Sequence, residues 1–465
     1  MYYNRIIDKY LLEWARRKDH KPLLLRGARQ TGKSTAVQHL GEQFEQYVEI
    51  NFEKQPQYKL LFEKDLDVKR IVPVMSAMSK KTIVAGKTLL FLDEVQECPK
   101  AIMALRFFKE DMPGLHVIAA GSLLEFALDA LPTFGVGRIH SMYVYPMTFD
   151  EFLSANGEQL LLEARDHATA QEPLPIELHD QLIELLRTYM LVGGMPESVA
   201  KWVETHDYLQ CQEVQDDILT GYEDDFPKYR KNVNPVLLRN TMRSAAVQAA
   251  RKFIYAQVSG GYTSAEVKKA LDLLTKAGII IPVVHTCANG LPMGEESDPG
   301  IRKMLLLDTG LLLRLLNMSV GDVAEITTQI LTASASELVN KGVMAEMLAG
   351  LEYLHYLTPN LRHDLYYWVR QSRNSLAEVD YVLPINNGVV PMEVKAGVQG
   401  GMKSLWEFMR EKGLSSAVRC SLENFGSFDY ADAKSNDSAR PAVRHVTICP
   451  LYALSQLKRV LDTDK

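Results

Sequence analysis

The stretch "PLLLRGARQTGKS", Pro22 to Ser34, carries an apolar run into a glycine-bounded loop, and its reading decides the fold. Within it "GARQTGKS", Gly27 to Ser34, fits G-x-x-x-x-G-K-[ST], a motif that needs a strand before it and a helix after it. The chain supplies both, since Leu23 to Leu25 read as a buried strand and the residues after Ser34 have helical spacing. In that setting the loop from Gly27, Ala28, Arg29 and Gln30 through Thr31 and Gly32 wraps its backbone N–H groups around phosphate oxygens at a helix N-terminus. Lys33 is predicted to reach the β and γ oxygens, Ser34 to hold magnesium, and Thr35 to close the nucleotide-binding run, so the expected ligands are ATP and Mg2+. A chance match inside an unrelated turn is the alternative, and the strand-loop-helix context argues against it.

Outward from that loop, four further apolar runs alternate with helical patterns: "YVEINF" at 47–52, "TLLFLDE" at 88–94, "HVIAAGS" at 116–122 and "SMYVYPMT" at 141–148. Continuous apolar strands separated by helices indicate a parallel sheet covered on both faces, so residues 1–150 are read as a doubly wound α/β domain. "LLFLDE" places Asp93 at the carboxyl end of a buried strand, where it can join the magnesium shell, and Glu94 beside it can orient or deprotonate a water. Adjacent acids after four apolar residues are far rarer than acids on a surface helix. Hydrolysis, as well as binding, is therefore expected.

The remainder reads as three units. Residues 151–232 are predicted to form a helical lid or connector, interrupted by "EPLP" at 172–175 and "VGGMPESV" at 192–199; its acid-rich "GYEDDFPKYRKN" is read as a solvated face. Over 233–330, "YTSAEVKKALDLLTKAGII" opens with Thr263 and Glu266 as a capping box and stops at Gly278, then come two strands around a polar turn. That is winged-helix order, with Lys268, Lys269 and Lys276 as its clear cations, and packing alone is the competing reading. Residues 331–465 are a third α/β unit with "NNG" at 386–388 as a tight hairpin turn and "DAKSNDSARP" near 432 as a mobile loop.

The whole chain has 465 residues, 47% apolar and 24% charged, with 52 basic against 58 acidic side chains and a formal net charge of −6. That excludes a global polycation, so any DNA contact must use local basic patches. Five scattered cysteines suggest neither a disulfide framework nor a zinc pair, and no run has the length of a membrane span, which together predict a soluble cytoplasmic protein without membrane contact. His20, His116 and His363 lack metal-ligand spacing.

The stretches "RGARQTGKST", "LLFLDEVQECP", "VIAAGSLLEFAL", "GVGRIHSMYVYPMTFDEF", "LVGGMPESV" and "LLLDTGLL" together resemble the AAA+ ATPases of the archaeal-type clade, in which an AAA domain (AAA_14) precedes a C-terminal DUF4143 domain of restriction-endonuclease-like type. The resemblance implies that Ser122 senses the γ-phosphate, that Asn51 steers Glu94, and that Arg138 reaches a phosphate within the chain or in a neighbour. The bland counterparts are a capping serine, a strand-end asparagine and a surface arginine.

In the tail, "EVDYVL" and "MEVKAG" resemble the closing motifs of that architecture. Asp380 and Glu393 are expected on neighbouring strands, with Lys395 two residues on and on the same face as Glu393. Two carboxylates can hold a second Mg2+ or Mn2+, and a lysine can help activate water against a phosphodiester. Glu346 resembles the additional acid that such folds contribute from a helix. The competing reading is a surface ion-pair network of Glu378, Asp380, Glu393 and Lys395. The expected function is an ATP-hydrolysing AAA+ enzyme coupled to a winged helix and a nuclease-like domain acting on nucleic acid. The alternative is an ATP-dependent switch, as a homo-oligomer or with a protein partner, whose nuclease-like domain is inactive.

Overall fold

The computed structural model describes residues 2–131, 137–229, 233–316, 341–370, 377–397, 401–432 and 442–464. The expected unit boundaries at 232/233 and 330/331, the first residues of the helix expected from about Ser334, and most of the loop expected near 432 lie outside those residues.

Five parallel strands form the first sheet: β1 (Leu23–Arg26), β2 (Gln46–Asn51), β3 (Thr88–Asp93), β4 (His116–Ala120) and β5 (His140–Tyr143), in the order β2-β3-β4-β1-β5. β3 and β4 are buried throughout, which is why their sequences are unbroken apolar runs. Helices α1 (Ile6–Arg16), α2 (Lys33–Gly41), α3 (Val68–Ser79), α4 (Pro99–Asp111) and α5 (Leu124–Ala130) complete the unit. Separate apolar clusters cover the two sheet faces, one with Ile7, Leu11, Trp14 and Val37, the other with Phe52, Phe62, Ile71 and Phe108. The carboxyl ends of β1, β3 and β4 open on one edge, where open α/β sheets bind ligands.

Helices follow: α6 (Phe149–Ala155), α7 (Gln159–His167), α8 (Ile176–Val192), α9 (Pro196–Thr205), α10 (Tyr208–Tyr229), α11 (Pro235–Val247) and α12 (Ser264–Lys276). α12 has the expected capping box, with Thr263 Oγ1 accepting from Glu266 N at 3.3 Å and Glu266 Oε2 accepting from Thr263 N at 2.9 Å. It buries Val267, Ala270, Leu271 and Leu274 on one face, as their spacing predicts.

The order helix, strand, turn, strand holds through α12, β6 (Ile280–Thr286) and β7 (Ser297–Leu306), but the hairpin does not stand alone. β6 pairs in parallel with β8 (Leu365–Val369), Val283 opposite Leu365, so β6 and β7 are the edge of an eight-stranded sheet. After α13 (Thr309–Leu315) and α14 (Lys341–Tyr356), that sheet continues through β8, β9 (Glu378–Ile385), β10 (Gly388–Val394), β11 (Ser416–Ser421), β12 (Gly426–Asp432) and β13 (Ala442–Pro450), with α15 (Lys403–Lys412) and α16 (Leu457–Thr463). Its order is β12-β13-β11-β10-β9-β8-β6-β7. Asn386 and Asn387, with φ of 52° and 59°, make the turn expected at "NNG". One apolar cluster runs from Ala28 and Met147 through the helices into this sheet, so the middle and C-terminal segments share a core. Among the described residues, no helix is long and apolar enough to cross a membrane.

Candidate active site

The loop Gly27–Ser34 leaves β1 and enters α2 as its motif demands. Gly27 has φ 140°, and a Cβ there would lie 2.2 Å from Val144 O, so the turn accepts no side chain. Lys33 is buried, with Nζ donating to Gly27 O at 3.1 Å and Ala28 O at 2.6 Å. Burial pushes its ammonium down to about 8, against the pull of Glu94 and Asp93. Ser34 Oγ donates to Asp93 Oδ1 at 3.1 Å, which brings together the two oxygens expected to hold magnesium. Burial, then the adjacent Glu94, raise the Asp93 carboxyl, while hydrogen bonds from Ser34 and Asn51 lower it.

Asn51 departs from its expected role: Nδ2 donates to Asp93 Oδ2 at 2.8 Å, and Oδ1 accepts from Glu53 N and Lys54 N. It fixes Asp93 and, among the described residues, makes no hydrogen bond to Glu94. Glu94 adopts left-handed φ 47° and ψ 47°, a strained conformation of the kind concentrated at active sites. Its Oε2 accepts from Gln96 Nε2 at 2.6 Å and from Ser122 Oγ at 3.4 Å. Gln96 approaches so closely that a Cβ on Gly121 would lie 1.9 Å from its Oε1. Gln96 escaped the sequence reading; its signal is the polar residue two positions after the paired acids.

Lys33, Ser34, Asp93, Glu94 and Ser122 line one cavity of about 480 Å³. A neighbouring cavity shares Gln30, Gly32 and Thr35 with it, and its further lining includes Tyr2, Tyr3, Arg5, Met147, Pro196 and Glu197. Through that shared wall the two are continuous, as a nucleoside beside its phosphates would need. Arg5 ties this wall to the loop, donating to Thr31 O at 3.1 Å, Tyr145 O at 2.7 Å and Glu151 Oε1 at 3.0 Å. These N-terminal and α9 residues were invisible to motif spacing, because tertiary packing alone sets them against the loop.

Arg29 also lines the phosphate cavity, and its Nη1 donates to Asp225 Oδ2 of α10 at 2.5 Å. Arg138 is half-exposed, ion-paired with Glu110 of α4, and is not among the cavity-lining residues.

In the C-terminal sheet, carboxylate oxygens of Glu346 on α14 and of Glu378 and Asp380 on β9 all lie within 4.8 Å of one another. The β9–β10 register, with Met392 opposite Tyr381, sets Asp380 against Glu393. Asp380 Oδ2 accepts from Val394 N at 2.8 Å, and Lys395 Nζ donates to Glu393 Oε1 at 2.5 Å. Glu393 Oε2 is buried without a hydrogen-bond partner among the described residues. Sequence reading missed Lys303 on β7, whose fully buried ammonium lies 2.6 Å from Glu346 Oε1, 2.5 Å from Glu378 Oε1 and 4.9 Å from the centre of the Tyr367 ring. Although burial works against it, the acids hold the Lys303 pKa above its ordinary value. Burial pushes Glu346 up to about 8 and Glu393 up to about 7. Four acids thus surround two lysines, Lys303 and Lys395, and Lys303 comes from a different segment of the chain.

Residues 19–153 match the family model described as an AAA domain. Residues 183–322 and 341–436 match two described as domains of unknown function, DUF8612 and DUF4143. No curated protein matches this chain. Among solved structures, the Walker-type ATPase PABY2304 of Pyrococcus abyssi is similar at 15% identity over 68% of this chain and 96% of that one, with a TM-score of 0.42. Unliganded Pif1 from Bacteroides sp. is similar at 15% identity over 39% of this chain and 49% of that one, with a TM-score of 0.21.

Proposed function

We propose that residues 19–153, which match the AAA domain model, form a P-loop ATPase unit, and that the chain is a Mg2+-dependent ATPase whose nucleotide state is passed to its helical segment and to the C-terminal sheet that carries the DUF4143 match. The observation that carries this reading is the convergence of Lys33, Ser34, Asp93, Glu94 and Ser122 around one cavity at the carboxyl edge of a parallel sheet.

The donor set fits the magnesium nucleotide. Ser34 and Asp93, already 3.1 Å apart, would hold Mg2+, which neutralises phosphate charge when bound. Lys33 and the loop amides bind the β and γ oxygens. Glu94, held by Gln96 and Ser122, orients the attacking water and takes its proton. Ser122, joined to Glu94, is suited to read the γ-phosphate. Arg138, engaged with Glu110 and absent from the cavity lining, is given no part in this chain's own site. Coupling to the rest of the chain is supported by the close packing of Gly278, after α12, on Ala28 of the loop, where an added Cβ would lie 3.2 Å from Ala28 N.

The test is Mg2+-dependent phosphate release by the whole chain beside Lys33→Ala and Glu94→Gln. Lys33→Ala is expected to lose nucleotide binding, and Glu94→Gln to bind ATP yet lose turnover by about 10² to 10⁴. Wild-type protein without Mg2+-dependent hydrolysis, or Glu94→Gln at wild-type rate, refutes the proposal.

A second reading, a metal-dependent nuclease acting on DNA, is favoured by the approach of Glu346, Glu378 and Asp380, with Glu393 and Lys395 opposite. Lys303 opposes it by already giving those acids a cation, and Lys276, one of the three clear cations read on the winged-helix segment, is paired with Asp129 of α5. We therefore prefer a nucleotide-dependent switch whose C-terminal domain is catalytically inactive. Plasmid cleavage with Mg2+ or Mn2+ that disappears in Asp380→Ala and Lys395→Ala would reverse that preference.

A further inference from the structure

α10 carries the stretch whose acids read as a solvated face in sequence, and it is instead applied to the phosphate loop. Asp225 is buried and receives Arg29 Nη1 at 2.5 Å; Lys228, one turn on, donates to its other oxygen at 2.9 Å. Tyr222, also buried, donates its hydroxyl to Arg29 O at 3.0 Å. A single turn of α10 therefore grips Arg29 at both its backbone and its side chain. Tyr229, two turns beyond Tyr222, stacks on Phe126 of α5 at 4.8 Å, so the same helix also touches the segment that follows Ser122.

The guanidinium is placed between two anionic neighbourhoods. On one side is Asp225; on the other is the cavity with Lys33, Ser34 and Glu94, and the charge of Glu94 acts on it from there. A guanidinium has five donors in a planar fork, and one bond to Asp225 leaves an edge for phosphate oxygens. Asp225, with its second oxygen held by Lys228, fixes the direction of that fork. α10 in turn packs on α9, whose first residues line the nucleoside cavity, and on α11, which leads to α12 and the β6–β7 edge.

We propose that Arg29 binds the terminal phosphate of a nucleoside triphosphate and, anchored by Asp225, makes α10 the element that distinguishes triphosphate from diphosphate. This rests on the ATPase reading above. Asp225 is a positioning residue here, since it acts through Arg29, and Arg29 is the group that meets the substrate.

The test compares binding of a non-hydrolysable ATP analogue and of ADP by the whole chain, together with hydrogen exchange over residues 208–229. Wild type is expected to prefer the triphosphate and to protect α10 more with it than with ADP. Arg29→Ala should lower analogue affinity by about tenfold or more and ADP affinity by a clearly smaller factor. The isosteric Asp225→Asn should move in the same direction by a smaller factor, and both variants should erase the difference in α10 exchange. Retained ADP binding shows that each variant is folded. Equal loss of both nucleotides, or an unchanged preference, overturns the inference and leaves the ATPase reading standing. Wild type that binds neither nucleotide removes the ATPase reading itself.

Discussion

Replacing Lys303 by methionine removes a fully buried charge from the acid cluster of the C-terminal sheet while keeping most of the stem's volume. In the wild type the ammonium is fully buried, 2.6 Å from Glu346, 2.5 Å from Glu378 and over the Tyr367 ring. Loss of one partner of a buried ion pair leaves the others unpaired in low dielectric, which costs about 3–5 kcal/mol. Here Glu346 loses its direct partner in the interior and Asp380 a nearby positive charge, while Glu378 is 40% exposed and screened by water, so the lower half of that range is expected. Urea unfolding followed by far-UV circular dichroism should show the midpoint of the C-terminal transition falling. Mn2+ should then raise it again in Lys303→Met, because the vacated acids can take a divalent cation, and should leave wild type unchanged. A loss below about 1 kcal/mol, the range of an exposed pair, would refute the internal-cation reasoning. So would Mn2+ stabilisation of wild type equal to that of the variant.

Three further outcomes can be checked directly. Gln96→Ala frees the Glu94 carboxylate from its 2.6 Å partner, so turnover should drop on the order of 10- to 100-fold with ATP affinity unchanged, as read by steady-state and equilibrium titration. Gly27→Ala should abolish nucleotide binding and lower the melting temperature, since its Cβ would lie 2.2 Å from Val144 O; a labelled-nucleotide titration decides. His355 has both ring nitrogens buried without partners among the described residues, and burial, then Arg5, pushes its pKa down to about 3. A depressed folded pKa gives stability that is present above the unfolded value near 6.5 and is lost as pH falls, by about 1.4 kcal/mol at pH 5.5. His355→Phe, retaining the stack on Tyr145, should therefore lose less melting temperature than wild type between pH 7 and pH 5.5.

The legible part of the site consists of groups whose neighbours in space are also neighbours in sequence. Gly27 to Ser34 form one turn between a strand and its helix, and Asp93 and Glu94 end a single buried strand, so motif and periodicity reach them. Ser122, after the next strand of the same sheet, was reached only through the family resemblance. Asn51 was found as a strand-end residue but given the wrong partner, because the β2–β3 register sets Asn51 opposite Asp93 and spacing cannot supply that register. Glu378, read in sequence only as part of an ion-pair network, stands with Glu346 and Asp380 for the same kind of reason: α14 and β9 meet in three dimensions.

Taken alone, the sequence determined the ATPase unit, because a P-loop's chemistry and its local fold are written in the same dozen residues. Strand periodicity, the capping box at Thr263 and the turn at Asn386 and Asn387 were local as well, and local interactions need no knowledge of what lies across the core. Tertiary structure alone decided that β6 and β7 border the C-terminal sheet, that Asp225 holds Arg29, and that Lys303 sits among the acids of another segment. A lysine in a strand and an aspartate in a helix read as solvated in isolation. Only a buried partner of opposite charge, contributed from elsewhere in the chain, makes their burial tolerable and gives them a role.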